Sequence, residues 1–182
     1  MWIGTYGGGL KRYDGLNVET YSHDPFSESS ISNSTIFDLV FSENQGLWIA
    51  TQNGINYFNP NTKSFSLFNP TSDFISVHSL CEIDENVLVV GTHQKGIYFF
   101  NTKTKVFDKV GIPETINENG LLINDIVVDQ LSRIWVGTNY GIFIIDKNVK
   151  MLTRVSFKGS KNINPNNTEA LSFEIDHTGN IW

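Results

Sequence analysis

Cysteine is nearly absent: the single Cys81 in 182 residues allows no internal disulfide and no thiolate-based zinc site, which needs several thiolates at close spacing. The redox compartment therefore stays open. Alanine, the strongest helix former, occurs only at Ala50 and Ala170, and no segment carries the long 3.6-residue periodicity that helical repeats require. No apolar run approaches the ~18 residues of a membrane helix, and no charged-then-apolar leader follows Met1. The expectation is no membrane segment and no export signal within these residues. Basic side chains are outnumbered, 13 against 19 acidic for a net charge of −6, and they form no run. A grip on DNA or RNA rests on Lys and Arg against phosphate, so nucleic acid is not an expected partner.

What the chain holds instead is strand and turn. Aromatic residues make up 13% of it, and Gly, Asn, Ser and Thr crowd the segments between apolar runs, a composition that favours β-strands joined by tight turns. One pattern returns along the whole length. Trp2-Ile3-Gly4-Thr5 recurs as Trp48-Ile49-Ala50-Thr51, Val89-Val90-Gly91-Thr92 and Trp135-Val136-Gly137-Thr138, and begins again at Ile181-Trp182, at spacings of 46, 41, 46 and 47 residues. A Gly-plus-aliphatic pair follows each time, as Gly9-Leu10, Gly54-Ile55, Gly96-Ile97 and Gly141-Ile142. Turn residues come next, at Asp14-Gly15, Asn59-Pro60-Asn61, Asn101-Thr102-Lys103 and Asp146-Lys147-Asn148. A third strand is expected at 18–21, 65–68, 107–110 and 152–155, and a fourth, after a longer polar loop, at 35–41, 76–83, 122–128 and 170–175. Four short strands per 41–47 residues is the size of one propeller blade. The expected fold is all-β, one β-propeller segment over 1–182 with repeat units 2–47, 48–88, 89–134 and 135–181.

The Trp strand has a packing logic. Residues two apart share a face, so Trp2 lies beside Gly4, Trp48 beside Ala50 and Trp135 beside Gly137. The small residue leaves a slot that a bulky side chain from the adjoining blade can fill. Val89 breaks the rule, which marks the third unit's interface as the looser one.

Trp-Ile-Gly-Thr, Gly-Leu, Tyr13-Asp14 and Asp176-His177-Thr178-Gly179 before the next Trp together resemble the two-component regulator propeller repeat, over essentially the whole chain. The departures are Val89 for Trp, Ala50 for Gly, and Asn59 and Asn101 where Asp is usual. The resemblance implies the periplasmic sensor region of a bacterial hybrid histidine kinase that detects glycan fragments. Its partners would be an oligosaccharide or a neighbouring sensor domain, with the kinase core outside these residues and no cofactor. If the stretch before each Trp is the innermost strand, three complete blades, 35–68, 76–110 and 122–155, are flanked by two partial ones. The chain is then expected to be an incomplete propeller fragment, with the remaining blades of the parent protein as further partners; four units closing on themselves is the alternative.

In such a propeller the loop after each Thr and the long loop before each innermost strand share one rim. That rim would carry Tyr6, Gln52, Asn53, His93, Gln94, Asn139 and Tyr140 from the short loops, and His23, Asp24, Asn33, Asn119, Asn164 and Asn166 from the long ones. Aromatic faces with amide and hydroxyl groups suit a neutral, polyhydroxylated ligand, although Asn and Tyr also occur in turns for backbone reasons. Catalytic constellations are thin. His78 and Cys81, three apart on a strand, point to opposite faces, and Cys81 aligns with the core positions Leu39, Ile126 and Phe173. His93 and Asp24 are the acid and base candidates for the alternative of a lyase-like propeller enzyme acting on a carbohydrate or antibiotic. A bare protein-interaction platform is the third reading. No cluster of His or carboxylate suggests a metal site, and Gly7-Gly8-Gly9 reads as a hairpin turn rather than a phosphate loop. The turns at 42–48 and 176–182 also resemble the aspartate-box turns of sialidase propellers, which are structural.

Overall fold

The computed structural model describes residues 1–42, 46–156 and 169–182. Strands β1 (Trp2–Gly4), β2 (Leu10–Tyr13) and β3 (Val18–Tyr21) form a first, three-stranded sheet. Three four-stranded sheets follow: β4 (Ile36–Phe41), β5 (Leu47–Thr51), β6 (Gly54–Asn59) and β7 (Ser64–Phe68); β8 (Val77–Asp84), β9 (Val87–Thr92), β10 (Ile97–Asn101) and β11 (Val106–Lys109); and β12 (Ile123–Val128), β13 (Ile134–Thr138), β14 (Gly141–Asp146) and β15 (Met151–Arg154). All pairings are antiparallel between strands consecutive in sequence. The edge strands that precede each Trp segment pack on one another, β4 on β8 and β8 on β12. The sheets therefore stand side by side as blades, with those strands innermost. The strand expected at 170–175 is not continuous; it docks through Ala170 N–H on Thr138 O at 3.0 Å and bridges Ile175 to Ile181.

Each motif residue has a physical task. The Thr hydroxyls of Thr5, Thr51, Thr92 and Thr138 donate to the carbonyls of Gly9, Gly54, Gly96 and Gly141 at 2.6–3.0 Å, closing the hairpin after the Trp strand. Gly54 and Gly96 sit at φ 80° and 82°, left-handed backbone that a side chain disfavours. At the next hairpin, Asp14, Asn59, Asn101 and Asp146 each accept a backbone N–H two residues on. Asn serves there as well as Asp because the turn needs only the side-chain oxygen.

Between blades the rule is complementary volume. A Cβ on Gly4 would lie 2.6 Å from Ile36 Cγ2, and one on Gly91 would collide with Ile123 Cγ2. Where the second blade has Ala50, the facing inner-strand residue is the smaller Val77, both fully buried in one cluster. The rings follow suit. Trp2 meets Phe58 at 5.1 Å and Trp48 meets Phe100 at 5.6 Å, each edge-on and each on the next blade. In the third unit Val89 shares a cluster with Ile145, Ile123, Val136 and Phe143, all almost wholly buried. Aliphatic packing thus replaces the Trp–Phe pair at that interface.

Each inner strand carries a bulge, with the register shifting between Ile36 and Asp38, Val77 and Ser79, and Ile123 and Asp125. After the bulge, Asp38 accepts from its neighbour Leu39 N–H at 2.7 Å and from Leu80 N–H of the next blade at 2.8 Å. Asp125 does the same with Ile126 and with Phe173 N–H, at 2.8 and 2.6 Å. These carboxylates tie one blade's inner strand to the next.

The pairing register also corrects the alignment of Cys81. Leu80 pairs with Val90 as Leu39 pairs with Ile49 and Ile126 with Val136, whereas Cys81 pairs with Val89 as Val40 pairs with Trp48. Cys81 therefore matches Val40 and Val127 rather than Leu39 and Ile126. It is half-buried against the third-to-fourth-blade cluster, where burial pushes its thiol up to about 11.

Candidate functional site

Three blades contribute to a cleft of about 490 Å³ on the rim. Phe37 and His78 are the extra residues of the bulges in β4 and β8. They meet Tyr6, Gln52, His93, Gln94 and Lys95 from the short loops and Phe74 and Ser76 from the loop before β8. Backbone bonds fix those loops to the inner strands: Ile36 N–H to Thr5 O at 3.0 Å, Gln52 N–H to Thr35 O at 3.2 Å and His93 N–H to Ser76 O at 2.9 Å. Gln94 takes a left-handed φ of 67° and donates its N–H to Leu121 O at 2.9 Å. Inside the cleft the Phe37 ring stacks on His78 with centroids 4.1 Å apart, His93 lies 5.1 Å from His78, and Tyr6 approaches Phe37 edge-on at 6.3 Å. Burial, and then the neighbouring His93, hold His78 below the usual imidazole value.

Such a cleft offers what a sugar ring needs: the exposed ring of Tyr6, 85% accessible, and that of Phe74, 61% accessible, beside amide, hydroxyl and imidazole groups. The lining has no grouping of three metal ligands, and none occurs among the described residues. A groove of similar size, about 520 Å³, lies among β9, β10, β11 and the turn before β15. It is lined mainly by Ile83, Val87, Phe99 and Val106, and its Asp108 and Lys150 are ion-paired with each other.

The residues expected on the rim divide into two groups. Tyr6, Gln52, His93 and Gln94 come together in the cleft. Asn53 faces a separate groove with His23 and Asp24, and its carbonyl accepts from Ser32 Oγ at 2.6 Å. Asn33 is occupied by the turn it caps, accepting Thr35 N–H at 2.8 Å. Asn139 uses both ends of its amide to clasp the loop before β12, accepting Leu122 N–H and donating to Gly120 O, each at 2.9 Å. Tyr140 packs on the core of the third and fourth blades. Asn164 and Asn166 lie outside the described residues. Asp24 and His93, the acid–base candidates, open onto different grooves.

Sequence reasoning missed Phe37, Phe74, Ser76, His78 and Lys95. Phe37 and His78 escaped because strict alternation along a strand takes no account of a bulge. Phe74 left a legible signal, an aromatic residue inside a polar loop.

Side-by-side four-stranded blades with a rim cleft are the architecture of a β-propeller segment. No protein-family model matches the chain. The extracellular domain of the hybrid two component system BT4673 from B. thetaiotaomicron superposes on all of it with a TM-score of 0.81 and 18% identity, and that of BT3049 from the same organism with 0.80 and 20%. The chain spans 24% of each of those domains. In sequence it is 30% identical over 169 residues, 84% of its length, to Histidine kinase P4 of Formosa agariphila, of which it spans 12%. The chain thus resembles part of a histidine kinase in sequence and extracellular domains of bacterial two-component systems in fold. No helix among the described residues is long and apolar enough to cross a membrane.

Proposed function

We propose that this chain is a ligand-sensing propeller segment of a hybrid two-component sensor, displayed on the periplasmic side of a bacterial membrane, and that the cleft between its first three blades receives an oligosaccharide. The observation that carries the reading is the meeting of Tyr6, Phe37, Phe74, Gln52 and Gln94 in one open cleft. Stacking surfaces and amides in that combination recognise sugars, whose C–H faces and hydroxyls need both. The likeness to Histidine kinase P4 supports a signalling context in which the occupied propeller biases a kinase elsewhere in the parent protein. The lyase-like alternative would need an acid and a base converging on one cleft, and its two candidates open onto separate grooves.

Isothermal titration calorimetry of the full chain against a panel of oligosaccharides tests the reading, together with chromatography of the same mixtures. At least one oligosaccharide is expected to bind and be recovered intact. Tyr6→Ala should weaken it by roughly three- to tenfold, the worth of one aromatic contact. Binding indifferent to Tyr6→Ala and Gln94→Ala would sink this cleft, and released product would favour the enzyme.

A further inference from the structure

The cleft holds a lysine in an acidic protein. The chain carries 19 acidic side chains against 13 basic, yet among the described residues no carboxylate lines this cleft, while Lys95 and two of the chain's four histidines do. Lys95 forms no ion pair among the described residues, in contrast to Lys63, Lys109, Lys150 and Arg133, which are paired with Glu19, Glu118, Asp108 and Asp129. A local feature puts the ammonium there. Between the Thr and Gly of the hairpin, the second and fourth blades have two residues, Gln52-Asn53 and Asn139-Tyr140, whereas the third has three, His93-Gln94-Lys95. The longer loop is held by the left-handed Gln94 and its bond to Leu121 O, and by Lys95 N–H on Thr92 Oγ1 at 3.2 Å.

We infer that the ligand of this cleft is an anionic saccharide, one bearing a uronate carboxylate or a sulfate ester, rather than the neutral sugar that the amides and aromatic rings alone would suit. The inference rests on the glycan reading above and narrows it. Lys95 supplies a charge-assisted contact to the acidic group, His78 and His93 donate to it across the cleft floor, and Tyr6 and Phe74 take the apolar faces of the rings. With no carboxylate among the described residues of the lining, the cleft repels the ligand's charge less than the acidic remainder of the surface does.

The test is calorimetry of the full chain with matched pairs. These are trigalacturonate and its methyl ester, a sulfated carrageenan tetrasaccharide and its desulfated form, and the neutral cellotetraose and xylotetraose. Binding is expected from an acidic member, weakened roughly tenfold or more when its charge is masked and by a similar factor in Lys95→Gln. The uronate and sulfate arms show which acidic group the cleft prefers. Lys95 is exposed, so the variant should melt as the parent does. Equal binding of a masked or neutral sugar, or binding unmoved by Lys95→Gln, overturns the anionic inference and leaves the glycan reading standing. If no saccharide of the set binds, both readings fall.

Discussion

Replacing Gly91 with alanine probes the complementary-volume rule that holds the blades together. The new Cβ would collide with Ile123 Cγ2 and lie 3.0 Å from both Ile123 Cβ and Ile126 Cδ1. Carbon contacts relax to about 3.5–4.0 Å, so β12 would have to retreat from β9 or Ile123 leave its rotamer. Overpacking of this kind costs about 1–3 kcal/mol, offset by about 0.4–1 kcal/mol from the stiffer unfolded chain. A net loss of about 1–2 kcal/mol is expected. Ile123→Val alone should cost about 0.5–1.5 kcal/mol through the lost methyl. Together the two changes recreate the Ala50–Val77 pair of the second blade, since valine, without Cδ1, can turn its Cβ–H toward the new methyl. The double variant should therefore be more stable than the sum of the singles by about 1 kcal/mol. Urea unfolding followed by tryptophan fluorescence, with an unchanged slope, reads these differences. Additivity within about 0.5 kcal/mol, or a neutral Gly91→Ala, would refute the rule.

Other expectations follow from the same geometry. Trp48→Ala, which empties an aromatic cluster with Tyr57, Phe68 and Phe100, should cost about 3–5 kcal/mol; Trp135, only half-buried, should cost less, and denaturation midpoints compare them. Burial pushes the Asp129 carboxyl up, but the bonds from Trp135 Nε1 at 2.8 Å and from Arg133 and Leu131 outweigh it and hold the group down at about 2. Its contribution to stability should be full above the ordinary value of 3.8 and fall away as pH drops toward 2, a loss that Asp129→Asn should abolish in acid titrations of the melting temperature. His78 is held below its ordinary value of 6.5, so the unfolded chain takes up the proton first and stability should decline as pH falls below about 6.5; His78→Phe, which keeps the stack on Phe37, should remove that part of the decline. Cys81, with its thiol at about 11, should react with iodoacetamide at pH 8 far more slowly in the folded chain than in urea, and equal rates would contradict its burial.

The motif residues were legible in the sequence because their tasks repeat. A Thr that closes a hairpin, an Asp or Asn that accepts its own turn's N–H, and a Gly facing the next blade recur in successive units, so the pattern shows in one dimension. Four of the cleft residues, Tyr6, Gln52, His93 and Gln94, were legible for the same reason, since they follow the repeating Thr. Asn33, Asn53 and Asn139 were equally well placed in the sequence but do other work. A turn or clasp takes up the side chains of Asn33 and Asn139, and Asn53 opens onto another groove. An amide in a loop looks the same whether it holds the backbone or waits for a ligand.

By itself the sequence determined the all-β class, the blade period and the positions of strands and hairpins, because these depend on local chemistry repeated four times. The tertiary structure decided what lies between blades. Bulges in the inner strands shift the side-chain parity, bringing Phe37 of one blade against His78 of the next. Blade packing also brings Lys95, whose one-residue longer loop is itself visible in the sequence, to the same cleft. These are contacts between residues some forty positions apart, set by how one twisted sheet packs on the next, and no local pattern encodes them.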